Sequence, residues 1–220
     1  MRIGLIVPSS NTVMEPDFHR HLGRGHIVST ARIFLEEVTR VAELRMLEED
    51  LPRAVRLIKT TAPDAVVFGC TSAGALGTLR QDESISEMIA RATGAKAITV
   101  LGAVLEELSA IQPRSLALFT PYIDDLTESV ARVLGEAGYA PRRAHGMGIQ
   151  SNLDIGRVSP GEIVSFVESR LDDVAPDCIF LSCTNWQAME AISVLEARVG
   201  VPVVSSNQAA LRVVQRAIKC

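Results

Sequence analysis

Short apolar runs recur along the chain, each bounded by turn residues and separated by stretches of helical period. Runs of that length, without polar alternation, read as strands of a parallel sheet buried on both faces. The pattern predicts strands over Ile3–Pro8, His26–Ile33, Ala65–Gly69 and Ala97–Leu101 in the first half. In the second half it predicts Ser115–Thr120, Arg142–Met147, Asp177–Leu181 and Val201–Ser205. Strands alternating with helices imply right-handed crossovers and parallel sheets, an α/β fold. A helix is expected from Asp50-Leu51-Pro52, with Asp50 as cap and Pro52 in the first turn. Val55 and Ile58 continue its stripe, and Leu44 and Leu47 are assigned to an earlier helix broken there. Ser159-Pro160-Gly161-Glu162 is a capping box that starts another, and Gly138 and Gly200 are helix stops.

The two halves repeat. Cys183 lies 113 positions after Cys70, and the same shift carries Pro8 onto Pro121 and Ala62-Pro63-Asp64 onto Ala175-Pro176-Asp177. Past the thiols the shift becomes 106, laying Gly94–Thr99 over Gly200–Ser205. Several landmarks at one offset make duplication the better reading. Two pseudo-symmetric lobes are therefore expected, residues 1–102 and 103–206, with the boundary near Gly102–Pro113. A last helix, Gln208–Ile218 within residues 207–220, is expected to pack back on the first lobe.

Composition narrows the function classes. The 220 residues are 47% apolar and 4% aromatic, which suits an aliphatic α/β protein with ample core. A net charge of −4 gives no electrostatic footprint for nucleic acid or an anionic membrane, so neither partner is expected. No apolar run approaches a membrane span, and the N-terminal run is too short for a signal peptide. A cytoplasmic protein is expected, its four cysteines thiols rather than disulfides.

Chemistry concentrates at Cys70 and Cys183, each followed by threonine at the carboxyl end of a predicted strand. That is where open α/β sheets bind ligands. At a helix start, a thiol meets free N–H groups and a positive dipole end, which should lower its pKa. A thiolate can add to an electrophilic carbon or take a proton beside a carbonyl. A single buried cysteine would be ordinary core; two at matching repeat positions favour function. Cys178 and Cys220 read as ordinary. The loop Pro8-Ser9-Ser10-Asn11-Thr12 suits a carboxylate, and serves equally well as a helix N-cap cluster. Tyr122, in the counterpart loop, could donate to substrate or be a half-buried aromatic; Asn152 could point into the cleft or be a turn residue. His19 and His21 have metal-like spacing without partners and read as a solvated loop. Gly146 and Gly148 lack the third glycine of a dinucleotide fingerprint, and no phosphate loop is present, so no cofactor or metal is expected. No histidine stands in an evident pairing context with either thiol.

These residues together resemble the aspartate/glutamate racemase superfamily, in particular its maleate cis-trans isomerase branch. Gly4–Thr12 with Met14-Glu15, Thr120-Pro121-Tyr122, Asn152 with Ile155-Gly156 and Ser159-Pro160, and Cys183-Thr184-Asn185 match in order. The resemblance spans essentially the whole chain. It implies two lobes with an interlobe site, paired-cysteine chemistry without cofactor, a small carboxylic acid substrate and a homo-oligomer, dimer or higher. By it, Asn11, Tyr122 and Asn152 would hold substrate carboxylates. Ser9 and the chain beside the cysteines, at Thr71 and Thr184, would assist. Cys70-Thr71-Ser72-Ala73-Gly74 is closer to the wider superfamily than to typical maleate isomerases, and the arylmalonate decarboxylase relatives keep only the second cysteine. The expected reaction is isomerisation of a maleate-type dicarboxylate, Cys70 adding to the alkene while Cys183 supplies a proton. The alternative is a two-base racemase. A malonate decarboxylase or a non-catalytic acid-binding protein is less favoured.

Overall fold

The computed structural model describes residues 1–171 and 176–219. Cys220 and the Ala175 of one repeat landmark lie outside the described residues. The strands are β1 (Arg2–Pro8), β2 (Ile27–Ile33), β3 (Ala65–Phe68), β4 (Lys96–Thr99), β5 (Leu116–Thr120), β6 (Pro141–Gly146), β7 (Cys178–Leu181) and β8 (Val203–Ser205). They form two four-stranded parallel sheets of like order, β2-β1-β3-β4 and β6-β5-β7-β8. β3, β5 and β7 are buried throughout, which is why their sequences run unbroken in apolar residues. The edge strand β6 is half-exposed and carries Arg142 and Arg143.

The repeat holds at the level of single bonds. Ile3 pairs with Ala65 and, 113 residues on, Leu116 pairs with Cys178. Asp64 accepts from the Arg2 backbone N–H at 2.7 Å, and Asp177 from that of Ser115 at 2.9 Å. The aspartate in each Ala-Pro-Asp thus ties the start of the neighbouring strand. Beyond the thiols, Val66–Ala97 corresponds to Ile179–Val203. Thr99 accepts from the Gly102 N–H at 3.0 Å, and Ser205 from that of Gln208 at 3.3 Å. That capping bond ends β4 early: Val100 and Leu101, expected in the strand, open the helix Val100–Ile111. The equivalent helix, Ser206–Lys219, packs against it, and buried Glu107 takes Arg212 at 2.6 Å and Arg216 at 2.8 Å. The C-terminal helix also touches the helix Met14–His21, where Asn207 donates to Asp17 at 2.8 Å. His19 and His21 sit in that helix's last turn, exposed, rather than in a loop.

The expected break near Asp50 is a wide turn inside one continuous helical run. Arg40–Arg45 passes through a π-helical turn, Met46–Asp50, into Leu51–Lys59. Leu51 N–H donates to the Met46 carbonyl, five residues back. In a regular α-helix the Pro52 ring would collide with the carbonyl four residues before it. Widening the turn makes the room. Asp50 makes no capping bond, and the run starts instead at Thr39, whose hydroxyl accepts from Ala42 N–H at 3.3 Å. The capping box at Ser159–Glu162 is formed as expected, and Gly200 closes the helix Ala188–Val199 with φ 75°.

Candidate active site

β3 and β7 deliver the two cysteines at the same height. Gly69 N–H donates to Ile6 O at 2.8 Å and Ser182 N–H to Phe119 O at 2.9 Å, so each chain leaves its sheet one residue before its thiol. Gly69 is required there: an added Cβ would lie 2.5 Å from Met14 Sδ and 2.9 Å from Val7 Cγ1. Cys70 and Cys183 are 5% and 4% exposed; the Glu43 charge disfavours ionisation of both, Cys183 disfavours that of Cys70, and both sulfurs disfavour that of Tyr122. The two thiols therefore belong to one buried cluster.

Neither thiol has the lowered pKa expected from a helix start. Burial pushes Cys70 well above its ordinary value, with the Glu43 carboxyl adding to the rise. Burial pushes Cys183 up to about 12, against opposing hydrogen bonds from Tyr122 and backbone N–H groups. The helix after Cys70 is the single turn Thr71–Gly74, and Cys183 opens a turn five residues before its helix begins at Ala188. So short a dipole cannot offset desolvation. Cys178 opens β7 fully buried, its thiol pushed up to about 12 by burial, and is core.

The two thiols differ in their partners. Donors converge on Cys183: Asn185 N–H at 3.3 Å, Trp186 N–H and the Tyr122 hydroxyl. Cys70 receives Ala73 N–H, and beside it stand Ser72 Oγ and Glu43 Oε1, each 3.8 Å from its sulfur. Glu43 is wholly buried, accepts from Ser72 Oγ, and its other oxygen has no hydrogen-bond partner. Burial pushes its carboxyl up to about 8. Sequence reasoning missed Glu43. The available signal was its place three residues before buried Met46, on the apolar face of the helical run.

The remaining expected site residues form a clasp between the lobes. Asn11 Oδ1 accepts from Val13 and Met14 N–H at 3.1 and 3.0 Å, and its Nδ2 donates to Thr184 Oγ1 at 3.0 Å. The Thr184 hydroxyl in turn donates to Gly69 O at 2.9 Å, while Thr71 Oγ1 bonds Ser206 Oγ at 2.9 Å. Both threonines are thus ties across the lobes. Asn152 Nδ2 donates to Ser10 Oγ at 2.8 Å, and Asn185 joins Thr12 N–H at 2.9 Å to the Asn152 carbonyl at 2.6 Å. Asn11 and Asn152 each spend one of two amide hydrogens this way. Ser9 Oγ accepts from Leu35 N–H at 3.1 Å. The loops after β2 and β6 meet nearby, Val38 N–H donating to Gln150 O at 2.7 Å and Asn152 N–H to Glu36 O at 2.9 Å.

Gly146 and Gly148, rejected as a nucleotide motif, serve Tyr122. Gly148 N–H donates to the Tyr122 carbonyl at 3.0 Å. A Cβ on Gly146 would collide with that same carbonyl oxygen and lie 2.7 Å from Thr127 Oγ1. Gly146→Ala should therefore displace Tyr122 and lower stability by about 1–3 kcal/mol, read by chemical denaturation, with lost activity in the folded fraction. Among the described residues no group of three or more His, Cys, Asp or Glu could hold a metal. No described helix is long and apolar enough to cross a membrane.

Residues 3–219 match the model of the arylmalonate decarboxylase family. A maleate isomerase of Pseudomonas putida is 28% identical, with 93% of this chain and 86% of that protein covered. An arylmalonate decarboxylase of Bordetella bronchiseptica is 32% identical, with 94% and 86% covered. Among solved structures, a Nocardia farcinica maleate cis-trans isomerase superposes with a TM-score of 0.89 at 25% identity, covering 99% of this chain and 92% of that one. That protein is a cysteine-to-serine mutant holding a covalently bound succinylcysteine intermediate.

Proposed function

Since the chain belongs to the arylmalonate decarboxylase family, we propose that it isomerises a small cis-unsaturated dicarboxylate of the maleate type, without a cofactor. Cys70, as the thiolate, bonds through Sγ to one alkene carbon, and the double-bond electrons pass to its neighbour, which takes the Cys183 proton. The former double bond is now single and rotates. Return of the proton to Cys183 and departure of the sulfur give the trans product. Cys183 suits the donor role: its high pKa keeps it protonated, and Tyr122, Asn185 N–H and Trp186 N–H then hold the thiolate left behind. The spare amide hydrogens of Asn11 and Asn152 take the carboxylates, with Tyr122, Ser9 and the chain at Thr71 and Thr184 assisting.

The observation that carries this reading is the joining of both repeat cysteines in one buried polar cluster, with unlike partners on otherwise like positions. The cluster is closed, so substrate enters when the loops after β2 and β6 part. The working form is a cytoplasmic homo-oligomer.

Proton NMR of maleate with the purified protein tests the function. Conversion to the trans isomer is expected, at a rate unchanged by exhaustive chelation. Deuterium exchange into a chiral acid, with maleate untouched, would make the protein a two-base racemase instead. Restoration of a chelated sample by added metal would overturn the cofactor-free mechanism.

A further inference from the structure

We propose that Glu43 is the base that takes the Cys70 proton, so that Cys70, Ser72 and Glu43 form the activating unit of the nucleophile. This rests on the assignment of Cys70 as the nucleophile made above. Oε1 of Glu43 lies within hydrogen-bond reach of Cys70 Sγ at 3.8 Å, and Ser72 Oγ donates to that same oxygen. Ser72 thereby fixes the carboxyl against the thiol. The proton passes from Cys70 Sγ to Oε1 while a sulfur lone pair forms the new C–S bond. On elimination that bond breaks and Glu43 returns the proton, so the carboxylate is regenerated each cycle.

A buried carboxyl is costly unless paired, and among the described residues this one forms no ion pair. Arg40, the cation whose charge acts on it from one turn earlier, is committed elsewhere: to Leu76 O at 2.8 Å, Ser129 Oγ at 2.7 Å and Asp125 at 3.5 Å. A glutamine or methionine would fill the same space at lower cost, so packing alone does not account for an acid there. The arrangement also breaks the symmetry of the repeat. The position 113 residues after Glu43 is Gly156, which brings no side chain to Cys183. Of the two thiols, Cys70 is the one with a carboxylate oxygen in hydrogen-bond reach.

The charged and titratable groups coupled to this pair are Arg40 on the Glu43 helix, Cys183 beside Cys70, and Tyr122, whose own hydroxyl pKa both members of the pair raise. Burial, the dominant influence, holds the Glu43 carboxyl at about 8. A base must be deprotonated to act, so Cys70 reactivity should rise with pH through about 8 and level off above it.

The test is the rate of Cys70 alkylation by iodoacetamide, mapped to its peptide, from neutral to alkaline pH. Glu43→Gln should slow it on the order of 100-fold at neutral pH and erase the rise near pH 8. A carboxyl that is only a neighbour gives the opposite sign, because it raises the Cys70 pKa and its removal would speed alkylation. An unchanged or faster rate in Glu43→Gln overturns the proposal. Ser72→Ala supplies a second arm should the glutamine variant not fold. It removes a bond that lowers the Glu43 pKa, so the rise should move to higher pH; an unmoved profile counts against the proposal. No maleate is used. A protein that ignores maleate yet shows the Glu43-dependent rise loses only the substrate assignment. One that isomerises maleate with an unaltered glutamine profile loses only this inference.

Discussion

Asn185→Ala is expected to destabilise the protein by roughly 2–5 kcal/mol, because each orphaned buried polar group costs about 1–3 kcal/mol. Asn185 is 1% exposed and stands between the lobes. Its Oδ1 accepts from Thr12 N–H at 2.9 Å, and its Nδ2 donates to the Asn152 carbonyl at 2.6 Å and to Asn152 Oδ1 at 3.2 Å. Truncation strands the Thr12 donor and the Asn152 acceptor together. It also frees the Asn152 amide that is assigned to a substrate carboxylate, so turnover should fall with stability. Asn185→Asp keeps the acceptor for Thr12 but cannot donate to Asn152, and should lie between the two. Urea unfolding of the three proteins checks the order. A loss below about 1 kcal/mol in the alanine variant would mean that the clasp does not couple the lobes.

How much was legible in the sequence depended on whether local chemistry or distant packing decided each feature. The central strands were readable because parallel strands inside a sheet must be apolar on both faces, and the repeat helped to locate the edge strands beside them. The capping box at Ser159 declared itself locally. The end of β4 did not: Val100 and Leu101 continue an apolar run, and only the Thr99 hydroxyl on Gly102 N–H turns the chain into helix. The run from Arg40 to Lys59 was cut in two because Pro52 normally ends a helix, and a π-helical turn cannot be told from composition. Cys70, Cys183, Asn11, Tyr122 and Asn152 could be singled out as candidates because motifs carry them. Glu43 was not, since it reaches Cys70 from 27 residues away and only the fold brings it there. The thiol pKa values depart from the expected lowering for a related reason. Sequence places a thiol near a helix start but does not reveal that the helix is one turn long and the thiol buried.

The two thiols should fail in different ways when replaced. Cys70→Ser is expected to abolish covalent addition. A serine hydroxyl is far less acidic than a thiol, and a carboxyl near pKa 8 cannot strip it. Cys183→Ser keeps the nucleophile and its Ser72–Glu43 partners but replaces the proton donor with a weaker acid. Turnover should drop roughly 100- to 10,000-fold, the usual range for losing a positioned acid, while addition at Cys70 still occurs. The adduct then has no efficient way forward or back.

Peptide-mapped mass spectrometry of Cys183→Ser after incubation with maleate therefore tests the central claim most directly. The account predicts one added maleate per chain, carried on Cys70, and none in Cys70→Ser treated alike. An adduct found on Cys183 in the Cys70→Ser protein, with Cys70 unmodified in the other variant, would contradict it.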